Sequence, residues 1–132
     1  MTDTTHAPGV AGGPRLLLRL EGAALLLLGV VLYAKTTMPW WLFAVLFLTP
    51  DLSFLGYLAG PRVGAIAYNS VHTLLGPIAL ALAGFGLPSF DLIALSLIWT
   101  AHIGFDRMLG YGLKYAAGFG FTHLGRIGRA AG

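Results

Sequence analysis

The chain has 132 residues, enough for one compact domain, and 57% of them are hydrophobic against 10% charged. With a mean hydropathy of +0.80, it carries more apolar side chain than a soluble domain of this size can bury, which places it with integral membrane proteins. It has no cysteine, which excludes disulfides, thiolate metal ligands and cysteine nucleophiles; its formal charge of +3 sits on residues that flank apolar runs and so reports orientation in a membrane rather than affinity for nucleic acid.

Residues 1–13, MTDTTHAPGVAGG, are small and polar and read as a disordered tail in which His6 is exposed. The apolar run at 15–35 is too long for the core of a signal peptide, contains Glu21 and ends at Tyr33 and Lys35 without a small-residue cleavage site, so it reads as a retained span. Further spans are expected at 39–58, 63–86 and 89–108, each near the roughly 20 residues that cross a bilayer core. The intervening TTMP, AGPR and GFGLPS carry turn chemistry. Short connections of this kind predict an all-α, antiparallel up-down-up-down bundle of four transmembrane helices over residues 14–109.

Arg15, Arg19, Arg62, Arg107, Lys114, Arg126 and Arg129 fall on one side of that bundle and Lys35 on the other. This predicts a multi-pass protein of the bacterial inner membrane with cytoplasmic N- and C-termini, and Trp40 and Trp41 at the outer interface. Residues 110–132 alternate glycine with aromatic and basic residues; this tail is expected at the cytoplasmic face, its Leu113, Phe119, Phe121, Leu124 and Ile127 resting on the membrane or folding back on the bundle. Gly56, Gly60 and Gly64 have the spacing of a close helix contact, interrupted by Pro61.

Ionisable groups inside a span are costly and are usually retained for a task. Counted from the cytoplasmic ends at about 1.5 Å per residue, Glu21 lies roughly 9 Å deep, Asp51 and Asn69 roughly 10 Å, His72 roughly 15 Å and His102 roughly 8 Å, with Asp106 near the interface. Every span thus places a polar group in the cytoplasmic half, while the outer halves are almost purely aliphatic and aromatic. His102 and Asp106 are four apart, and Asn69 and His72 three apart, so each pair shares a helical face. Carboxylates and imidazoles converging inside a bundle are the pattern of a metal centre, here suited to zinc, manganese or iron.

Single-residue readings stand beside this one. Asp106 with Arg107 can be an end-of-helix charge pair, His72 or His102 an interhelical hydrogen bond, and Glu21 a partner for Arg19, Arg62 or Lys114. Asp51 follows Pro50, so TPDLS can be a local helix break capped by Asp51 or Ser53. Tyr68, Tyr111 and Tyr115 suit packing or the membrane interface.

At LLRLEG, TPDLSFLGYLAGPRVGAIAYNSVHT and AHIGFDRMLGYGLKYAAGFGFTHLGRIG the chain resembles a family of small bacterial four-span membrane proteins known as a domain of unknown function, which implies a topology and no activity. More distantly, Asp51 in PDLSF, His72 in NSVHTLL and His102 with Asp106 in AHIGFD resemble the inner-membrane metal-dependent hydrolases, implying metal at those four positions. Where that family has a second acid and a histidine after its Pro-Asp, this chain has Ser53 and Phe54, and where it has a histidine near a basic-Gly segment, this chain has Pro61 and Arg62. The resemblance therefore implies a mononuclear centre or one that has lost its metal.

Three functions follow as expectations. In the first, a metal-dependent hydrolase of a phosphoester or lipid-like substrate, Asp51, His72, His102 and Asp106 hold metal or activate water, and Glu21 serves as a base or fourth-helix ligand. Asn69, Arg62, Arg107 and Lys114 then meet an anionic head group among membrane lipids, and His123 brings the tail over the mouth of the site. In the second, His72 and His102 bind haem between helices, although the nearby carboxylates argue against an apolar haem pocket. In the third, a non-enzymatic bundle binds a membrane partner or handles protons, against which the apolar outer half speaks. Homo-oligomerisation stays open.

Overall fold

The computed structural model describes residues 9–114 and 121–126. Five α-helices run in chain order: α1 (Gly12–Ala34), α2 (Trp40–Phe47), α3 (Pro61–His72), α4 (Leu75–Gly86) and α5 (Phe90–Met108). A 3₁₀ segment, Thr49–Ala59, joins α2 to α3, and the two-residue strands β1 (Phe121–Thr122) and β2 (Gly125–Arg126) pair antiparallel near the end of the chain. Three stretches are long and apolar enough to cross a membrane: 12–34, 40–59 and 61–86. Helix α5 is 19 residues long and carries Asp91, Asp106 and Arg107, and it does not meet that criterion.

The second and third expected spans are not continuous α-helices. Pro50 has no N–H to donate, and from Thr49 the chain tightens into 3₁₀ geometry in which the Ser53 hydroxyl donates to the Pro50 carbonyl at 2.8 Å. Between α3 and α4 the backbone turns extended at Thr73 (φ −86°, ψ 151°). Pro77 lies four residues on, where its ring would clash with the Thr73 carbonyl of an unbroken helix. The opened backbone finds a partner in Trp99, whose indole N–H donates to the Val71 carbonyl at 2.6 Å.

Helices α1 and α4 both pack on α5, and the 3₁₀ segment lies against α3. The α1–α5 contact is made by small residues: a Cβ on Gly104 would stand 2.5 Å from the Leu26 nitrogen and 2.6 Å from the Gly22 carbonyl oxygen, and one on Gly29 would stand 2.9 Å from the Leu97 carbonyl oxygen and 3.0 Å from the Ala101 Cβ. Small residues that let backbones touch are the packing solution available inside lipid, where burying one apolar side chain against another gains little over lipid contact. Gly56 and Gly64 serve the same end, against Ala67 and the Tyr57 ring. Leu27, Trp41, Val45, Leu82, Phe85 and Phe90 are exposed on the outside, the surface expected of a protein solvated by hydrocarbon rather than water.

The described parts of the terminal segments, residues 9–13, 110–114 and 121–126, pack on one another. Of the stretch expected to be disordered, Gly12 and Gly13 begin α1, and the Val10 N–H donates to the His123 carbonyl at 2.8 Å. The chain leaves α5 through Gly110, in the left-handed region at φ +90°, and then forms a bridge between Lys114 and Thr122 beside the β1–β2 hairpin. Arg15 donates to the Leu124 carbonyl at 2.6 Å, and Arg19 donates to the Met108 carbonyl at the end of α5 at 2.9 Å. The fold is helical as expected, and the tail adds a hairpin of two-residue strands whose Leu124 carbonyl Arg15 satisfies. The expected disorder of residues 1–8, with His6, and the expected roles of Tyr115, Phe119, Ile127 and Arg129 lie outside the described residues.

Gly104→Ala should destabilise the fold by about 1–3 kcal/mol through overpacking, whereas Gly86→Ala, which meets nothing within 4 Å, should leave it unchanged. Thermal unfolding of the two purified variants in one detergent checks this; equal melting temperatures would contradict the close α1–α5 contact.

Candidate metal centre

The two helix breaks and the inner half of α5 meet at one point. Asp51 occupies the first turn of the 3₁₀ segment, His72 is the last residue of α3, and His102 and Asp106 stand one turn apart on α5. His72 Nε2 lies 3.1 Å from His102 Nε2, 3.5 Å from Asp51 Oδ1 and 3.3 Å from Asp106 Oδ2. His102 Nε2 lies 3.2 Å from Asp51 Oδ1 and 3.3 Å from Asp106 Oδ2. One donor atom from each of the four residues falls within 4.8 Å of all the others, so the cluster can hold a metal ion.

These separations carry a geometric signature. A tetrahedral ion with metal–nitrogen and metal–oxygen bonds of about 2.0–2.1 Å requires its ligand atoms to be about 3.3–3.4 Å apart. Five of the six separations, 3.1–3.5 Å, bracket that value, and the sixth, between Asp51 and Asp106, is held within 4.8 Å. With the imidazoles neutral, the cluster turns two lone pairs and two carboxylates toward each other, a repulsion that a shared cation or a proton on one imidazole relieves. A divalent ion would cancel the two carboxylate charges.

The surroundings favour nitrogen lone pairs directed at that point. His72 Nδ1 lies 2.9 Å from the Tyr68 carbonyl, which only accepts, so Nδ1 carries the proton and a neutral His72 offers a bare Nε2 to the cluster. An imidazole oriented by a carbonyl on its far nitrogen is the usual outer support of a metal ligand. The Tyr68 ring stacks on His72 at 3.7 Å between centroids and 6° between planes, and its hydroxyl donates weakly to Asp106 at 3.4 Å. His102 packs edge-on against Phe47, its buried Nδ1 having no well-formed hydrogen bond and only the Phe47 carbonyl as a weak backbone partner. Both histidines are buried, with side chains 3% and 2% exposed, whereas Asp51 is 36% exposed. Asp51 and Asp106 form one wall of a cavity of about 360 Å³ that Tyr68, Tyr111 and Lys114 also line.

The other residues singled out from the sequence fall elsewhere. Glu21 is exposed on α1 and acts electrostatically on Arg107, outside the cluster. Arg62 is exposed at the start of α3. Asn69 faces the tail: its amide donates to the Lys114 carbonyl at 2.8 Å and accepts the Lys114 N–H at 2.6 Å. His123 accepts the Leu113 N–H on Nδ1 at 2.8 Å and so holds the hairpin rather than facing the metal cluster. Lys114 does reach the cavity, its ammonium 4.8 Å from the Tyr68 ring centroid; burial pushes its pKa down to about 8, partly opposed by Asp106. Tyr68, expected from the sequence to serve packing or the membrane interface, supports His72 instead; it stands four residues before His72 and therefore on the same helical face.

A family model described as "Domain of unknown function (DUF4260)" matches residues 15–127. The chain belongs to this family. The match spans every ligand of the cluster and the hairpin that closes the chain. No curated protein and no solved structure matches, and the resemblance to inner-membrane metal-dependent hydrolases gains no support from these comparisons. The haem expectation meets a geometric obstacle, since a porphyrin plane would have to pass between two nitrogens 3.1 Å apart with two carboxylates at the same point.

The docked tail should be sensitive to acid. Burial, and secondarily Arg107, lower the His123 pKa below its ordinary 6.5, so its contribution is fully present above that value and is lost as pH falls through it toward the lowered pKa. Hydrogen exchange at the Leu113 amide, corrected for the intrinsic pH dependence, should lose protection below about pH 6.5; unchanged protection down to pH 5 would contradict the Nδ1 contact.

Proposed function

We propose that this protein is a four-span membrane metalloprotein, with α5 as the fourth span and both termini cytoplasmic, and that its His₂Asp₂ centre activates water to hydrolyse a phosphoester or lipid-like ester. The observation that carries the metal reading is the convergence of two imidazole nitrogens and two carboxylate oxygens on one point, five of their separations lying at 3.1–3.5 Å, near the edge length of a tetrahedron. Two imidazole nitrogens and two carboxylate oxygens in tetrahedral array suit zinc better than magnesium or calcium, which demand more oxygen ligands.

A bound zinc-class ion would bring the pKa of a coordinated water near neutrality. Asp51 is the ligand best placed to loosen or to take a proton, since it is the most exposed of the four and borders the cavity. In the reaction, water oxygen forms a bond to the ester phosphorus or carbonyl carbon as its proton passes to the Asp51 carboxylate; the bond to the ester's alcohol oxygen breaks, and that oxygen takes the proton back from Asp51 as it departs. Lys114, at the same cavity, would hold an anionic group.

A second reading has its own observation. Four protein donors complete a tetrahedral shell, as in structural sites, and these four join the break between α2 and α3, the end of α3, and α5. In that case the ion clamps two broken spans to the central helix and performs no chemistry.

Purified protein, stripped with a chelator and returned to zinc, should bind one equivalent, and zinc at 100 times its dissociation constant should add about 2.7 kcal/mol of stability. Loss of an outer partner of a metal ligand typically costs about 10- to 100-fold in affinity; Tyr68→Phe should cost less than this, and His102→Ala or Asp106→Asn more. Cobalt(II) in place of zinc should give the intense visible bands of tetrahedral coordination. Absence of stoichiometric metal, or a faint octahedral cobalt spectrum, would sink the metal reading, whereas bound metal without turnover of a nitrophenyl phosphodiester favours the clamp.

A further inference from the structure

We propose that a second, apolar groove beside the centre holds the hydrocarbon chain of one membrane lipid phosphate, so that the lipid's ester lies at the metal and its anionic head in the polar cavity. The groove has a volume of about 540 Å³ and is walled by Leu46, Pro50, Val71, Leu80, Leu95 and Trp99, among others. This deepens the hydrolytic reading of the same site, and it names the class of substrate.

The groove and the polar cavity are two sides of one turn of chain. Pro50 and Leu52 line the groove, while Asp51 between them lines the polar cavity. Val71, next to His72, lines the groove as well, and Trp99 stands one turn before His102. The groove therefore begins at the depth of the metal ligands. Leu80 lies eight residues beyond His72, and Leu95 seven before His102, so it extends roughly 10 Å along the helices away from the polar cavity.

Its origin explains its character. The breaks at residues 48–50 and 73–74 interrupt two neighbouring spans at one level and leave a gap that side chains do not fill. The backbone carbonyls exposed by those breaks are already taken, Val71 by the Trp99 indole and Pro50 by the Ser53 hydroxyl. Apart from Thr49 and Ser53, what remains toward the groove is aliphatic and aromatic surface that attracts methylene groups and gives little to water. The volume falls within the usual range for a bound small molecule, about 300–1,000 Å³. The opposite pole has complementary chemistry: the Lys114 ammonium and the Tyr68 and Tyr111 side chains border the cavity where Asp51 and Asp106 present the ion. An amphiphile with one chain and one anionic head matches that polarity end to end.

The test uses full-length protein in phosphatidylcholine nanodiscs with a lysophosphatidate probe bearing a photoreactive diazirine in mid-chain, its cross-links mapped by peptide mass spectrometry and metal measured on the same samples. Labels should concentrate on Val71, Leu80, Leu95 and Trp99 over the lipid-facing Leu27 and Leu82, and Leu80→Trp with Leu95→Trp should reduce them about tenfold, a change of about 1.4 kcal/mol in binding, without altering metal content. Glycerol phosphate, which has the head but no chain, should not compete. Labelling spread evenly over lipid-facing residues, or displaced by glycerol phosphate, overturns the groove assignment. Groove labelling in protein that binds no metal upholds the lipid site and defeats the metal reading; stoichiometric metal with even labelling does the reverse.

Discussion

Two imidazole nitrogens and two carboxylates facing one another inside an apolar bundle form the constraint on which the rest of this structure depends. Such groups repel and are poorly solvated there, and desolvation of an unshared charge costs several kcal/mol in a protein interior. They are held together only because α5, the end of α3 and the 3₁₀ segment deliver them to one point. A cation at that point turns repulsion into cohesion, which makes the centre both a candidate for chemistry and a fastening between elements.

The breaks in the second and third spans serve that convergence. Irregular backbone at membrane depth is tolerated where it is buried in protein or lines a cavity, and here both breaks adjoin ligands and cavities alike. At one, the chain turns where Pro50 interrupts helical bonding, freeing the following carboxylate to face inward. At the other, the helix ends at His72, whose ring is fixed from both faces of its function: Tyr68 stacks on it and supplies the carbonyl that sets its tautomer. The rigid reference is α5, held against α1 by glycine contacts that leave no room for a methyl group.

The tail completes the mouth rather than hanging from it. Asn69 on α3 takes both the N–H and the carbonyl of Lys114, Arg15 takes Leu124, and Val10 extends the pairing through His123. These bonds place one lysine at the cavity beside Asp51 and Asp106. Residues that looked like ligand contacts in the sequence, Asn69 and His123, therefore act one step back, by positioning the segment that bears Lys114.

Composition and hydropathy by themselves determined that the chain is membrane-like and helical, because apolar runs of this length have no other stable solvent. Depth along each span, together with i, i+4 spacing, was enough to single out Asp51, His72, His102 and Asp106, since in hydrocarbon every polar group is costly and so stands out. Glu21 shared that depth and was indistinguishable on this ground; which face of α1 it occupies depends on how the glycines of α1 and α5 interlock. The break at Thr73 had a signal in Pro77, four residues downstream, but the apolar run masked it. The pairing of Asn69 with Lys114 joins residues 45 apart in sequence, and no local pattern specifies such a contact. Only the tertiary structure decided that four of the candidate groups meet at one point while Glu21 and Arg62 face outward and Asn69 and His123 hold the tail, because rotation of one helix about its axis moves a side chain from the bundle interior to its surface without changing anything that hydropathy measures.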